Sequence, residues 1–142
     1  MDSSPLLGVR TYQRALDILP EVRNLIVSAK REFIAIGATF DRSTKHYSVE
    51  IEEAIARGVV FKYIVLSKSA DLALYCKQFG QSIEELRSEV EASDAVLEQL
   101  HKRHPSQLHV FRTKRCPNYR MYVADSSARP VPGIIVFYGN AT

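Results

Sequence analysis

Between Glu98 and Asp125 the chain has no acidic residue, yet it carries Lys102, Arg103, Arg112, Lys114, Arg115 and Arg120, with His101, His104 and His109 in the same stretch. Cations gathered without acids make a local field that draws anions. Arginine adds a planar fork that grips two phosphoryl oxygens at once. Within the stretch, Asn118-Tyr119-Arg120 reads as strand, and Asp125 follows Arg120 at a turn. Alternate strand residues share a face, so Asn118 and Arg120 project together. A hairpin turning near Arg115 would set Arg112 opposite Asn118, and the three side chains would then form an oxyanion site. The plainer reading of the same residues is a solvated strand face with ordinary surface arginines. Asp125 reads either as part of the site or as a turn residue, a place aspartate favours.

A second set of donors follows the first expected strand. Thr39, Ser43, Thr44, Lys45 and His46 precede a helix start, whose free N–H groups attract anions. A plain N-cap explains Ser and Thr there without any ligand. Ser67-Lys68-Ser69 repeats the arrangement after the next strand. His109 is a candidate nucleophile, but in this register it points to the other face from Asn118, and a structural histidine is the simpler reading. A one-residue slip would reverse its face. His101 and His104 have a spacing that could hold metal, but no third ligand is near in sequence, and cations suit a helix C-terminus in any case. Neither a metal nor a cofactor is expected. The phosphate loops GxxxxGK[ST] and GxGxxG are both missing. Tyr63, Tyr119, Tyr122 and Tyr138 fall in strands, as core or as platforms for base stacking.

The elements that must position these groups follow from periodicity. At 142 residues, 46% hydrophobic and 25% charged, the chain fits one domain with a real core. Its net charge of +3 excludes a uniformly basic surface. Residues 1–10 read as a lead-in, and residues 11–142 as a single domain. Apolar residues at three- and four-residue steps predict a helix over residues 11–30, kinked or split at Pro20. Residues 33–37 read as a buried strand and residues 38–45 as a polar loop. Residues 47–57 read as a helix with Val49, Ile51, Ala54 and Ile55 inward and Gly58 as its stop. Residues 59–66 are β-branched and aromatic, a strand parallel to the previous one.

A short helix over residues 69–79 ends at Gly80. Ser82-Ile83-Glu84-Glu85 is a capping box opening a long helix, with Ile83, Leu86, Val90, Leu97 and Leu100 as its apolar stripe and a solvated acidic outer face. Three strands follow, over residues 108–112, 119–124 and 133–138. The last has no element after it, which suggests a piece of a longer protein or an edge that a partner covers. No apolar run approaches the roughly 18 residues a membrane span needs. Met1-Asp2-Ser3-Ser4-Pro5 lacks the basic and apolar regions of a secretory leader. Cys76 and Cys116 read as reduced thiols of a cytoplasmic protein.

This order of elements resembles one half of the phospholipase D-like superfamily. Leu25-Ile26-Val27-Ser28-Ala29-Lys30-Arg31-Glu32-Phe33-Ile34 is similar to the family's run of helix, small residue, basic residue and strand. Glu52-Glu53-Ala54-Ile55-Ala56-Arg57-Gly58-Val59-Val60-Phe61 is similar to its helix ending before the second strand. The resemblance covers about residues 20–139 and implies an α/β fold with a mixed sheet between helices. The family's signature, His-x-Lys-x4-Asp, falls on Asn118, Arg120 and Asp125. By that resemblance Arg120 holds phosphate. Asn118 replaces the nucleophile, and a carboxamide can neither attack phosphorus nor act as a general base. The expectation is therefore a non-catalytic phosphate-recognition or regulatory (sensor) domain, whose ligand is a phosphorylated small molecule or nucleic acid. Two alternatives stay open. One is a phosphodiesterase or nuclease that acts as a homodimer with His109 as nucleophile. The other is a protein-interaction domain that uses its exposed last strand.

Overall fold

β-Branched and aromatic runs become strands because such side chains fill a pleated, half-buried surface. The computed structural model describes residues 9–12, 19–115 and 118–137. The elements are β1 (Val9–Tyr12), α1 (Leu19–Ser28), β2 (Glu32–Ile36), α2 (Asp41–His46), α3 (Ser48–Ala56), β3 (Val60–Leu66), α4 (Ala73–Phe79), α5 (Ile83–Arg103), β4 (Leu108–Thr113), β5 (Tyr119–Ala124) and β6 (Gly133–Phe137). They build a mixed α/β fold on one six-stranded sheet of order β1-β6-β5-β2-β3-β4. β2, β3 and β4 are parallel neighbours. β5 runs antiparallel to both β2 and β6, and β1 joins β6 in parallel.

Several local expectations hold for identifiable reasons. Ser82 Oγ accepts from the Glu85 N–H at 3.1 Å while Glu85 Oε1 accepts from the Ser82 N–H at 2.9 Å, the reciprocal capping box that starts α5. Gly58 (φ 97°) and Gly80 (φ 65°) follow α3 and α4 in the left-handed region, where a Cβ is costly. Pro20 sits in the first turn of α1, where its missing N–H has no intrahelical partner to lose.

Other expectations need correction. The lead-in contains β1, because Val9, Thr11 and Tyr12 are good strand formers and edge β6. The helix expected from residue 11 therefore begins only at Leu19 among the described residues, and residues 13–18 lie outside them. The polar loop after β2 contains α2, which runs almost into α3. Val49 and Ile83, expected inward, are exposed. The last strand is no free edge: β6 lies between β5 and β1, so the interaction surface expected there is already paired. Tyr138 and Cys116 lie outside the described residues, and Cys76 is a free thiol.

The core sits on one face of the sheet. Phe33, Ala35, Phe61, Tyr63, Val65, Leu108, Tyr122, Ala124, Ile134 and Val136 are buried there with Val22 and Ile26 of α1, Ile51 and Ala54 of α3, and Leu97 and Leu100 of α5. The pairing register puts all those strand residues on the same side. A second cluster of Ala38, Leu66, Leu72, Tyr75, Leu86 and Val90 seals the carboxyl end of β3 under α4 and the first half of α5. Among the described residues, then, helices cover one face and reach the other only around Leu66 at its carboxyl end, so the expected sheet between helices becomes largely a two-layer arrangement.

Arg57 ties α1 to α3. Its Nη2 donates to the carbonyls of Ile26, Val27 and Ala29 at 3.2, 3.0 and 3.0 Å, closing orphan acceptors at the end of α1. Arg57→Met is expected to cost about 1–2 kcal/mol. A lower urea midpoint with an unchanged slope would record it.

Candidate functional site

The carboxyl ends of β2, β3 and β4 and the amino end of β5 meet at one edge of the molecule. Gly37 N donates to Ile64 O, Leu66 N to Ala38 O, and Ser67 N to Thr113 O, so the loops leaving the parallel strands are laced together. In open α/β sheets ligands bind outside this end. It is also the cationic end: Arg42, Lys45, Lys68, Lys114, Arg115 and Arg120 lie in these loops or at the start of β5, against Asp41 and Asp71.

Arg120 joins the two halves of this edge. It faces the core side beside Tyr122, and its register partner across β6 is Val136. Its Nη2 donates to Thr39 O at 2.6 Å, and Nη1 reaches Tyr122 Oη at 3.4 Å. Its guanidinium carbon lies 4.7 Å from the centre of the Phe40 ring, within range of a cation–π contact. Phe40 packs edge-on to Tyr63 and Tyr122 at 5.4 and 5.9 Å. Thr39 thus begins a rigid platform for the loop behind it. Ser43 and Thr44 occupy α2, with Thr44 buried; Lys45 and His46 are exposed at its end. Asn118 is exposed just ahead of β5. The structure therefore sets Arg120 against Thr39 and Phe40, with Asn118 two residues ahead of it in sequence. α2 has only six residues, so its N-terminus adds little field of its own.

The phenols beneath this platform are neutral. Burial, then the neighbouring Tyr122 and Glu50, pushes the Tyr47 phenol up to about 12. Burial likewise drives the Tyr63 phenol upward. Their hydroxyls serve as fixed dipoles rather than as acids near neutral pH.

Arg112 does not belong here. The expected β4–β5 hairpin is replaced by a sheet in which β3 and β2 separate those strands, a gap of roughly 14 Å at the usual strand spacing. Sequence neighbours pair across a hairpin by default, but the parallel crossover through α4 and α5 puts β4 beside β3 instead. Arg112 Nε donates to Asp94 Oδ1 at 2.7 Å and Nη2 to Glu98 Oε2 at 3.1 Å. The Asp94 bond first, then Glu98, holds its guanidinium above the usual arginine range. The acidic face of α5 is thus partly engaged rather than simply solvated.

Asp125 also leaves the site. It lies at the opposite end of β5 from Arg120, with φ 49°. Its Oδ1 accepts from the N–H groups of Lys30, Arg31 and Glu32 at 3.2, 2.6 and 3.1 Å, and Oδ2 from Lys30 at 3.0 Å. Partial burial opposes the charged form, but those N–H groups prevail and keep the carboxyl below its ordinary value. The residue is a turn clamp.

His109 pairs in register with Lys62, on the face away from Arg120, so it cannot replace Asn118 as a nucleophile in this site. His101 Nδ1 lies 2.6 Å from Leu108 O, and His104 Nε2 lies 2.7 Å from Glu52 Oε1. Glu98, His101, His109 and Arg112 line a separate open hollow of about 270 Å³ along β4. Among the described residues no three metal-ligating side chains converge, and no helix is long and apolar enough to cross a membrane. Sequence reasoning missed Phe40 and Tyr122 as the walls around Arg120. The signal for Tyr122 was its two-residue step from Arg120; Phe40 was hidden in a stretch taken for polar loop. Comparison with protein-family models, curated proteins and solved structures finds no match to this chain.

Proposed function

We propose that this protein is a phosphate-ligand recognition or regulatory domain, built as one phospholipase D-like half, that binds an oxyanion at the carboxyl edge of its sheet. The observation that carries the reading is Arg120. A guanidinium anchored on Thr39 O and stacked over Phe40 stands beside exposed Asn118, at the cationic end of the strands. An arginine held by a carbonyl and an aromatic ring is pre-organised, so little rotamer freedom remains to be lost on binding. Lys45, Lys68, Lys114 and Arg115 surround the edge and raise the local anion concentration. The reading is one of binding rather than turnover. Asn118 stands at the position matching the family's nucleophile, and His109 faces away.

Titration of the 15N-labelled protein with inorganic phosphate, pyrophosphate and mononucleotides tests it. The largest shift changes are expected at Asn118, Arg120 and the Ser43–His46 end of α2, and they should weaken with added salt. Changes centred on His101, His109 and Arg112, or none at millimolar ligand, would remove the reading.

A further inference from the structure

The face of the sheet turned away from the core carries an unbroken apolar row. The register aligns Ile135 with Met121, Met121 with Ile36, Ile36 with Ile64, and Ile64 with Phe111. One apolar side chain from each of β6, β5, β2, β3 and β4 therefore stands in a line roughly 19 Å long. All five are partly exposed, and Phe111 is 53% exposed. The next row adds Val123 and Ile34 before it turns polar at Lys62 and His109. No described helix buries any of these residues.

We infer that this face binds a second copy of the chain, sheet against sheet. Two features of the face favour a copy of itself over a different partner. First, the row is centred on Ile36 of β2, the middle strand of the five. A two-fold axis parallel to β2 lays the row on its own image, with Ile36 against Ile36, Met121 against Ile64 and Ile135 against Phe111. Isologous interfaces require such self-complementarity. Second, the charges on the face cancel within it: Lys62 Nζ lies 3.5 Å from Glu32 Oε2. Two identical faces can then meet without net like-charge repulsion. The area suits a weak, concentration-dependent association. Five strands of about five residues give a flat footprint of roughly 400 Å² per copy. With side-chain relief, two such faces approach the ~1,200 Å² at which specific interfaces begin. Sheets packed this way stand about 10 Å apart, with the two sets of side chains interleaved.

Sedimentation velocity and light scattering over a wide concentration range test this on the full chain. The apparent mass of the wild-type protein is expected to rise toward that of two chains. Phe111→Glu, on an exposed position of an edge strand, should hold it at one chain with an unchanged far-UV spectrum. Ile64→Lys should do the same; if it fails to fold, concentration-dependent broadening of the Ile34, Ile36, Ile64 and Ile135 methyl signals in the wild-type protein serves in its place. Three results would overturn the inference. One is a wild-type protein that stays at one chain throughout. Another is a dimer that survives Phe111→Glu with those methyl signals unmoved. The third is a monomer in which the row is shielded from a soluble paramagnetic agent, which would put another segment of the same chain on the face.

Discussion

Replacing Asp125 with alanine is expected to lower stability by about 3 kcal/mol, since three N–H groups lose a charged acceptor and alanine must hold a left-handed backbone. The three donors belong to Lys30, Arg31 and Glu32, where the chain leaves α1 and enters β2. Nearby, Asp125 N donates to Glu32 O, and Glu32 accepts from Ser126 through both the backbone N–H and the hydroxyl. The carboxylate thus fixes the register of β5 on β2 at one end. Water reaches part of this turn and can replace the lost acceptor, which keeps the loss below what three charge-assisted bonds would suggest. Calorimetry should show a midpoint lower by roughly 10 °C. Asp125→Asn tolerates the positive φ and keeps one acceptor oxygen, so it should lose only about 1 kcal/mol.

The charge of Asp125 also gives this prediction a pH signature. Its carboxyl titrates below the ordinary aspartate value in the folded chain. The folded state therefore binds that proton less readily than the unfolded one. The stability it confers is fully present above the unfolded value of about 3.9 and is lost as pH falls through the lowered folded value. The gap between wild type and Asp125→Asn should be flat at neutral pH and should shrink below about pH 4. A gap independent of pH down to the acid limit would mean that the carboxylate form is not what the turn uses. Phosphate affinity should be unchanged in Asp125→Asn, because β5 separates this turn from Arg120 by roughly 17 Å.

The contrast between Asp125 and Arg112 shows what a single sequence reveals here and what it conceals. Local signals were legible because their partners lie within a few residues. The Ser82–Glu85 box and the stops at Gly58 and Gly80 follow from short-range chemistry, and the parallel pairing of β2 with β3 from the helical crossover between them. The turn reading of Asp125 belongs with them, although nothing local marks the N–H groups nearly a hundred residues upstream as its ligands. Arg112 depended on strand order, which periodicity does not encode. A register guess between sequence neighbours put it beside Asn118, while the chain used α4 and α5 to carry β4 to the far side of β3. β1 was missed for a related reason: a four-residue strand gains its stability from β6, not from its own pattern. The pairing of Arg120 with the Thr39–His46 segment was legible because both ends of that contact fall at strand termini, where a βαβ unit must present its loops.

Arg120→Ala is expected to weaken phosphate binding by roughly 10- to 100-fold, the loss of one charge-assisted contact of about 1.5–3 kcal/mol. The same substitution removes the donor to Thr39 O and the cation over Phe40, so a stability loss of about 2 kcal/mol should accompany it. The two effects must be separated before the first is assigned to ligand contact. Arg120→Lys keeps the charge but not the fork. It should retain most of the fold stability and still bind phosphate several-fold more weakly, since an ammonium cannot serve Thr39 O and a phosphoryl oxygen in the same geometry. Asn118→Ala should weaken binding by less and leave stability untouched, because that side chain is exposed ahead of β5. Arg112→Ala is the internal control: its guanidinium is engaged by Asp94 and Glu98 on another strand, so phosphate affinity should not change. Isothermal titration with inorganic phosphate and pyrophosphate at two salt concentrations reads all four. If folded Arg120→Lys and Arg120→Ala bind as tightly as wild type, the guanidinium is a structural strut for the loop after β2 and the anion site lies elsewhere. If Arg112→Ala is the variant that loses binding, the hollow along β4 is the site and the carboxyl edge is not.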